Sequence, residues 1–144
     1  KLILEDESRT IGRAGLPGFW YRKMQNSKLV ILEVDDDKRA ENIYYEYVHD
    51  EINKGVSEDN LLERYLVSLN NIKRRLGNAV YDNIKDLMKS AFHQNEKEIH
   101  KEWILILLTN YYDKMYSYKL NMRKDFIVHK GQIESCRDYI NTIL

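Results

Sequence analysis

Lys28-Leu29-Val30-Ile31-Leu32-Glu33-Val34 is the stretch that decides the fold. Its apolar run is continuous rather than alternating, and it is rich in β-branched residues. Both features fit a strand covered on two faces, as in a parallel sheet. Three aspartates follow at once. Asp35 or Asp36 suits an N-cap, and the next carboxylates suit the positive end of a helix. That helix is expected to run to about Lys54, with Ile43, Tyr47, Val48 and Ile52 at helical spacing. A buried strand feeding directly into a helix reads as one unit of an α/β fold.

Upstream, Leu2-Ile3-Leu4 is a short apolar run ending in Glu5, Asp6 and Glu7, which reads as a second buried strand delivering acids at its C-terminal end. Residues 10–18 (TIGRAGLPG) read as loop, and Phe19 to Asn26 as a short helix. Downstream, Ser57 is a good N-cap for a helix carrying Leu61, Leu62, Tyr65, Leu66, Leu69, Ile72 and Leu76, with Gly77 as its C-cap. A second helix begins at Asn78. A third spans roughly Glu96 to Leu120, and its centre, Trp103 to Leu108, is apolar all round, so it is expected to be the most buried. Asp125 to His129 reads as a last strand and Lys130-Gly131 as a turn. Residues 132–144 read as a closing helix with Ile133, Cys136, Ile140 and Ile143 inward. The fold class is therefore α/β, helix-rich overall, with a parallel sheet and a helical subdomain inserted before the last strand. The expected divisions are 1–56 and 123–144 for the α/β core and 57–122 for the helical part.

Composition narrows the class further. A hydrophobic fraction of 43% and a charged fraction of 32% describe a globular chain rather than a disordered one. One proline and six glycines leave few helix breakers. No apolar run approaches the roughly 18 residues of a membrane span. A lone Cys136 cannot form an internal disulfide, which makes a reducing cytoplasm the default, and its helical spacing puts it on the core face. The first residue is Lys1, inside the strand pattern, which suggests a truncated piece of a longer protein. Net charge is zero, but its distribution is uneven. Residues 35–63 carry ten acidic and three basic side chains, whereas residues 64–76 carry four basic and no acidic ones. Such segregation either presents a cationic face to phosphates or reflects ordinary solvated helix faces.

The chemistry-bearing residues concentrate in three places. Glu5, Asp6 and Glu7 fall where an apolar parallel strand ends, the position at which open α/β sheets bind ligands. Carboxylates there can hold Mg²⁺ or orient a nucleophile, the Walker B role. Glu5 and Glu7 would share one face of the strand and Asp6 the other, and Asp6 is a candidate Mg²⁺ contact. Ser8 and Arg9 place a hydroxyl and a guanidinium fork beside the acids, either as a structural ion pair or as a phosphate site. Tyr111, Tyr112, Tyr116 and Tyr118 lie among Lys114, Lys119, Arg123 and Lys124, a mixture suited to stacking and phosphate contact on RNA, or to the edge of a core. Lys73-Arg74-Arg75 ends a helix, where cations complement the dipole or contact phosphates. His49, His93, His100 and His129 have no metal-ligand spacing and read as structural or solvated.

LEDESRTIG, then a Pro-containing loop, an aromatic-rich short helix and LVILEVDDDKRAENIYYEYV, resembles the P-loop domain of the bacterial tRNA 2-selenouridine synthases. The resemblance continues through YLVSLNNIKRRLG, the W…LL…YYDKMYSYKL stretch and the closing IVHKG, covering essentially all of the chain in order. It implies an incomplete P-loop NTPase-like sheet. It also implies an enzyme that replaces the sulfur of wobble 2-thiouridine in tRNA by selenium from selenophosphate, with S-geranylation by geranyl diphosphate as an intermediate or side activity. In such enzymes a rhodanese domain with an essential cysteine precedes the P-loop domain. Neither that cysteine loop nor a G-x-x-x-x-G-K-[ST] sequence occurs in this chain, so the piece alone is expected to be inactive.

On this resemblance Glu5, Asp6 and Glu7 are the candidate catalytic acids. Ser8, Arg9 and Arg39 are candidate phosphate contacts, and Mg²⁺ with a diphosphate or nucleotide is the expected ligand of the intact enzyme, with none expected in the fragment. Lys73, Arg74, Arg75, Tyr112, Tyr116, Lys119 and Arg123 are candidate tRNA contacts. The expected partners are thiouridine-bearing tRNA and the missing N-terminal part of the same protein, with no membrane. The strand that would lie between residues 2–5 and 29–34 is absent, so a strand-swapped dimer or a repositioned first strand is expected. The competing readings are a nucleotide-kinase-like phosphotransferase and a non-enzymatic helical module binding RNA or protein.

Overall fold

The computed structural model describes residues 2–6, 8–11 and 13–143, with backbone only at Ile11. In chain order the elements are β1 (Thr10–Ile11), β2 (Ala14–Gly15), α1 (Gly18–Gln25), β3 (Leu29–Leu32), α2 (Asp36–Tyr44) and α3 (Asp50–Asn53). There follow α4 (Glu58–Leu76), α5 (Asn78–Gln94), α6 (Lys97–Leu107), α7 (Asp113–Met122), β4 (Ile127–Gly131) and α8 (Ile133–Ile143). Two five-residue π turns, Tyr45–His49 and Leu108–Tyr112, join α2 to α3 and α6 to α7. The chain forms two compact units, Lys1–Glu33 with Met122–Leu144, and Val34–Asn121. Residues 34–56, grouped with the strands in the sequence reading, thus pack with the helices that follow them.

In the strand-bearing unit, β3 pairs with β4 in parallel, Leu29 opposite Ile127 and Leu32 opposite Gly131, with a register irregularity after Leu29. The backbone N–H of Glu33 donates to the carbonyl of Gly131 at 2.8 Å and extends the ladder. Cys136 is buried against this sheet, its thiol donating to the carbonyls of Gly131 at 3.2 Å and Ile31 at 3.4 Å, so the core reading of the cysteine holds. Four expectations are corrected. Residues 2–6 form no strand, and Leu2, Ile3 and Leu4 are each more than half exposed. An apolar run supplies the side chains of a strand but not the neighbour its N–H and C=O groups require, and β3 is paired with β4. The expected loop at 10–18 holds the small antiparallel β1–β2 pairing. The last strand extends through Lys130-Gly131 rather than turning there, and Ile133, expected inward, is 63% exposed at the first position of α8.

The helical unit follows its local signals closely. The Ser57 hydroxyl accepts from the backbone N–H of Asn60 at the start of α4, and Gly77 ends the helix at φ 81°, a conformation that favours glycine. Leu61, Leu69, Tyr81, Ile84, Met88, Ala91, Phe92, Trp103, Ile104 and Leu108 form one core. The deepest burial belongs to α5 rather than to α6, where Leu105, Ile106 and Leu107 are only half-buried. Continuous hydrophobicity marks a helix that meets neighbours on several sides, without specifying how closely each one approaches.

Among the described residues, one buried polar side chain enters this core. His100 is 2% exposed, flanked edge-on by Phe92, and its Nδ1 accepts from the Trp103 indole N–H at 3.2 Å. Burial pushes its pKa down to about 4, so it is a neutral, structural histidine. Unfolding restores a normal value near 6.5, so the unfolded chain binds the extra proton between these two limits. Stability from this group is complete above about pH 6.5 and is lost as pH falls toward about 4. Glu41, held down to about 2 by Lys97 and Lys38, loses its contribution in a lower window. Urea midpoints measured between these pH limits are expected to fall with pH, and His100→Gln is expected to flatten that slope. An equal slope in the variant would assign the pH dependence elsewhere.

Candidate functional site

The two π turns meet across an open groove of about 570 Å³ in the helical unit. Each π turn adds one residue to its helix and re-aims the side chains beyond it, a distortion common at functional sites. The first contributes Glu46 and Tyr47 to the groove, the second Leu108 and Tyr112. Leu69, Met88, Trp103 and Ile104 form a buried apolar floor. Tyr47, Tyr112 and Tyr116, each 38–52% exposed, stand at the rim with Arg39 and Glu46. The size falls within the roughly 300–1,000 Å³ of small-molecule sites, and an apolar floor with a few polar rim groups is their usual construction.

The rim polar groups are organised. Arg39 donates from Nη1 and Nη2 to the two carboxylate oxygens of Asp113, at 3.1 and 2.5 Å, and from Nη1 to Asp36 at 2.9 Å. The Asp113 bond, with that to Asp36, raises the guanidinium pKa, so it is a fixed cation. Its paired N–H fork on a carboxylate has the geometry that also grips a phosphate. The Tyr65 hydroxyl donates to the Tyr47 carbonyl, and burial pushes the Tyr65 pKa up to about 12. Burial raises that of Tyr112 as well. Both phenols therefore remain protonated, and Tyr112 can serve as a rim donor.

The structure brings together some sequence-predicted residues and separates others. Arg39, Tyr112 and Tyr116, expected in two different roles, line the same groove. Glu5 and Asp6 belong to the strand-bearing unit, and Glu7 lies outside the described residues. Asp6 accepts both bonds of a fork from Arg123 Nη1, at 2.6 and 2.7 Å, while Arg123 Nη2 donates to the Met24 carbonyl at 3.0 Å. With its side chain 12% exposed, Arg123 ties residue 6 to the end of α1. Asp6 is engaged by Arg123 with its side chain 40% exposed, and no group of three His, Cys, Asp or Glu able to hold a metal occurs among the described residues. Ser8 and Arg9 are exposed, and the Arg9 carbonyl accepts from the backbone N–H of Leu16 at 2.8 Å.

At the end of α4, Lys73 lies over the Tyr81 ring at 4.5 Å and Arg75 donates to the Tyr111 hydroxyl at 3.1 Å, while Arg74 is exposed. Lys119 approaches the Tyr116 ring at 5.9 Å. His129 is stacked on Tyr139 and in hydrogen-bond contact with Ser135. Sequence reading missed Glu46, Tyr47 and Tyr65 as groove residues and Asp113 as the partner of Arg39. Asp113 alone carried a signal, as the acid within the YYDKMYSY run; the π turns carry none in residue spacing.

Comparison with known proteins follows the same lines. A family profile described as the tRNA 2-selenouridine synthase AAA domain matches residues 1–144. A tRNA 2-selenouridine synthase of Shewanella sp. (strain ANA-3) is 38% identical over 152 residues, covering 97% of this chain and 41% of that protein. Proteins of the same name from Aeromonas salmonicida (strain A449) and Hahella chejuensis (strain KCTC 2396) are 37% and 36% identical, over 95% and 96% of this chain and 40% and 39% of theirs. The chain thus spans about two-fifths of the length of these curated relatives. No solved structure matches it. No helix among the described residues is long and apolar enough to cross a membrane. With a helix-rich α/β architecture, a small parallel sheet and a profile match over its whole length, the chain belongs to the tRNA 2-selenouridine synthase AAA-domain family.

Proposed function

We propose that this chain is part of a transferase that converts wobble 2-thiouridine of tRNA to 2-selenouridine with selenophosphate through an S-geranyl intermediate, and that the groove of the helical unit holds the geranyl chain. The observation that carries this reading is the groove's construction. A buried hydrocarbon floor of Leu69, Met88, Trp103 and Ile104 ends at a rim where Arg39 is held in a phosphate-compatible fork. Water is poorly accommodated on such a floor, and an isoprenoid chain would displace it. In the geranyl step the thiouridine sulfur forms a bond to the allylic carbon as the bond from that carbon to diphosphate breaks, the diphosphate leaves, and the N3 proton of the base passes to solvent. Arg39 would exchange Asp113 for the departing diphosphate, a substitution of one bidentate anion for another.

The remaining assignments attach to this reading. Glu5, Asp6 and Glu7 are proposed as catalytic acids, with Ser8 and Arg9 as phosphate contacts. Mg²⁺ at Asp6 would require Asp6 to leave Arg123. Lys73, Arg75, Lys119 and the rim tyrosines are proposed to meet tRNA, phosphate contacts positioning the strand and rings stacking on unpaired bases.

The test uses the full-length protein with thiouridine-bearing tRNA, geranyl diphosphate and selenophosphate, followed by nucleoside analysis. Ser68 lines the groove from an exposed position, so Ser68→Trp fills it without entering the core. The variant is expected to raise KM for geranyl diphosphate about tenfold or more and leave KM for selenophosphate unchanged. Absence of selenium in the nucleosides from the unaltered protein would sink the reaction. An unchanged geranyl diphosphate KM in folded Ser68→Trp would remove the groove from it.

A further inference from the structure

Helix α4 carries an outer stripe at the edge of the core, with Leu62 and Leu66 partly buried against that core, that the proposed reaction does not use. Asp59, Leu62, Glu63, Leu66, Val67, Asn70 and Asn71 line one open stripe along it, and Val67 is 59% exposed. Arg74 lies on the same stripe, fifteen residues after Asp59 and seven after Val67. The stripe is acidic at its start, apolar at its centre and basic at its end. It is also self-complementary about a point between Leu66 and Val67. Reversing the helix brings Asp59 to the level of Arg74, Leu62 to Asn71, Glu63 to Asn70, and Leu66 to Val67.

We propose that this face pairs with the same face of a second copy, the two α4 helices antiparallel about a twofold axis at Leu66–Val67. An isologous contact needs a surface complementary to itself, and the Asp59 and Arg74 ends and the Leu66–Val67 centre meet that condition, while Leu62 faces Asn71. Leu66 and Val67 of each copy make the dry centre. Each Asn70 amide donates to the facing Glu63 carboxylate, and Asp59 faces Arg74 twice, once at each end. The cations flanking Arg74 are engaged within their own chain, Lys73 over Tyr81 and Arg75 on Tyr111. Arg74 is exposed and in line with the stripe. A helix of 19 residues is about 28 Å long, so the contact falls below the roughly 1,200 Å² of a standard interface. The dimer is accordingly weak and concentration-dependent, with a dissociation constant on the order of micromolar.

Sedimentation velocity of the full-length protein across a concentration series tests the pairing. The unaltered protein is expected to pass from monomer to dimer. Arg74→Glu and Asp59→Lys each place like charges at both ends and are expected to weaken association about tenfold or more. An equimolar mixture of the two variants restores both opposite-charge pairs in the heterodimer and is expected to recover association. Val67→Asp, at an exposed position that leaves folding intact, is expected to abolish it. A protein that stays monomeric throughout overturns the proposal, as does a dimer indifferent to Arg74→Glu and Val67→Asp. Failure of the mixture to recover what the single variants lose also overturns it, including the case in which a tRNA or another protein occupies this face. None of these readouts depends on selenium or geranyl transfer.

Discussion

Trp103→Ala is expected to destabilise the protein by about 3–5 kcal/mol, the range for removing a large aromatic side chain from a packed interior. Trp103 is 4% exposed, and its ring lies 6.1 Å from those of both Tyr65 and His100. Two effects combine. The cavity left by the indole has rigid helical walls that collapse only in part. The His100 Nδ1, which accepts the indole N–H at 3.2 Å, is left buried without its donor. Trp103→Phe separates the two, since it keeps most of the volume and removes the N–H, and it is expected to cost about 1–3 kcal/mol. Urea unfolding monitored by circular dichroism measures both. A loss below about 1 kcal/mol for Trp103→Ala would mean that the helical core is not packed as described. Because Trp103 also forms part of the groove floor, the alanine variant is expected to weaken geranyl diphosphate binding under conditions where it is still folded.

Asp6→Ala is expected to cost about 2–3 kcal/mol, read as a lowered urea midpoint, because it strips a largely buried guanidinium of its charged partner. The Arg123 side chain is 12% exposed, both Asp6 oxygens accept from its Nη1, and its Nε has no hydrogen-bond partner among the described residues. Arg123→Met, which removes the charge and keeps the stem, is expected to cost less than Asp6→Ala. That ordering distinguishes a structural aspartate from one kept for catalysis, whose removal ordinarily leaves stability unchanged or improved. An Asp6→Ala protein as stable as the parent would return Asp6 to the catalytic role that its place in LEDESRTIG implies.

The acidic segment shows how far residue patterns reach. Leu2-Ile3-Leu4 has the composition of a strand, and Glu5 to Glu7 the composition of a strand-end site, but composition does not name a pairing partner. Asp6 found its partner in Arg123, 117 residues away, a contact that no local spacing records. By residue pattern alone Arg123 is one more cation among tyrosines. By contrast, Ser57 and Gly77 bounded α4 where expected, because a cap is a bond between near neighbours and a positive φ is a property of one residue. Cys136 was likewise read correctly as core, since three- and four-residue spacing reports a helix face directly.

The candidate site divides in the same way. The family follows from residues in linear order, and so do the helices, the strand at 29–32 and the cationic end of α4. Those signals are local, and the chain carries them whatever its neighbours do. The groove does not follow from them. It exists because two π turns, one after Tyr44 and one after Leu107, each shift a helix by one residue and turn Tyr47 and Tyr112 toward a shared floor. A π turn has no residue signature, since it is stabilised by the packing it makes possible. The pairing of Arg39 with Asp113, 74 positions apart, is of the same kind. Sequence alone determined the family and the helices, and tertiary packing decided which of the side chains meet in a site.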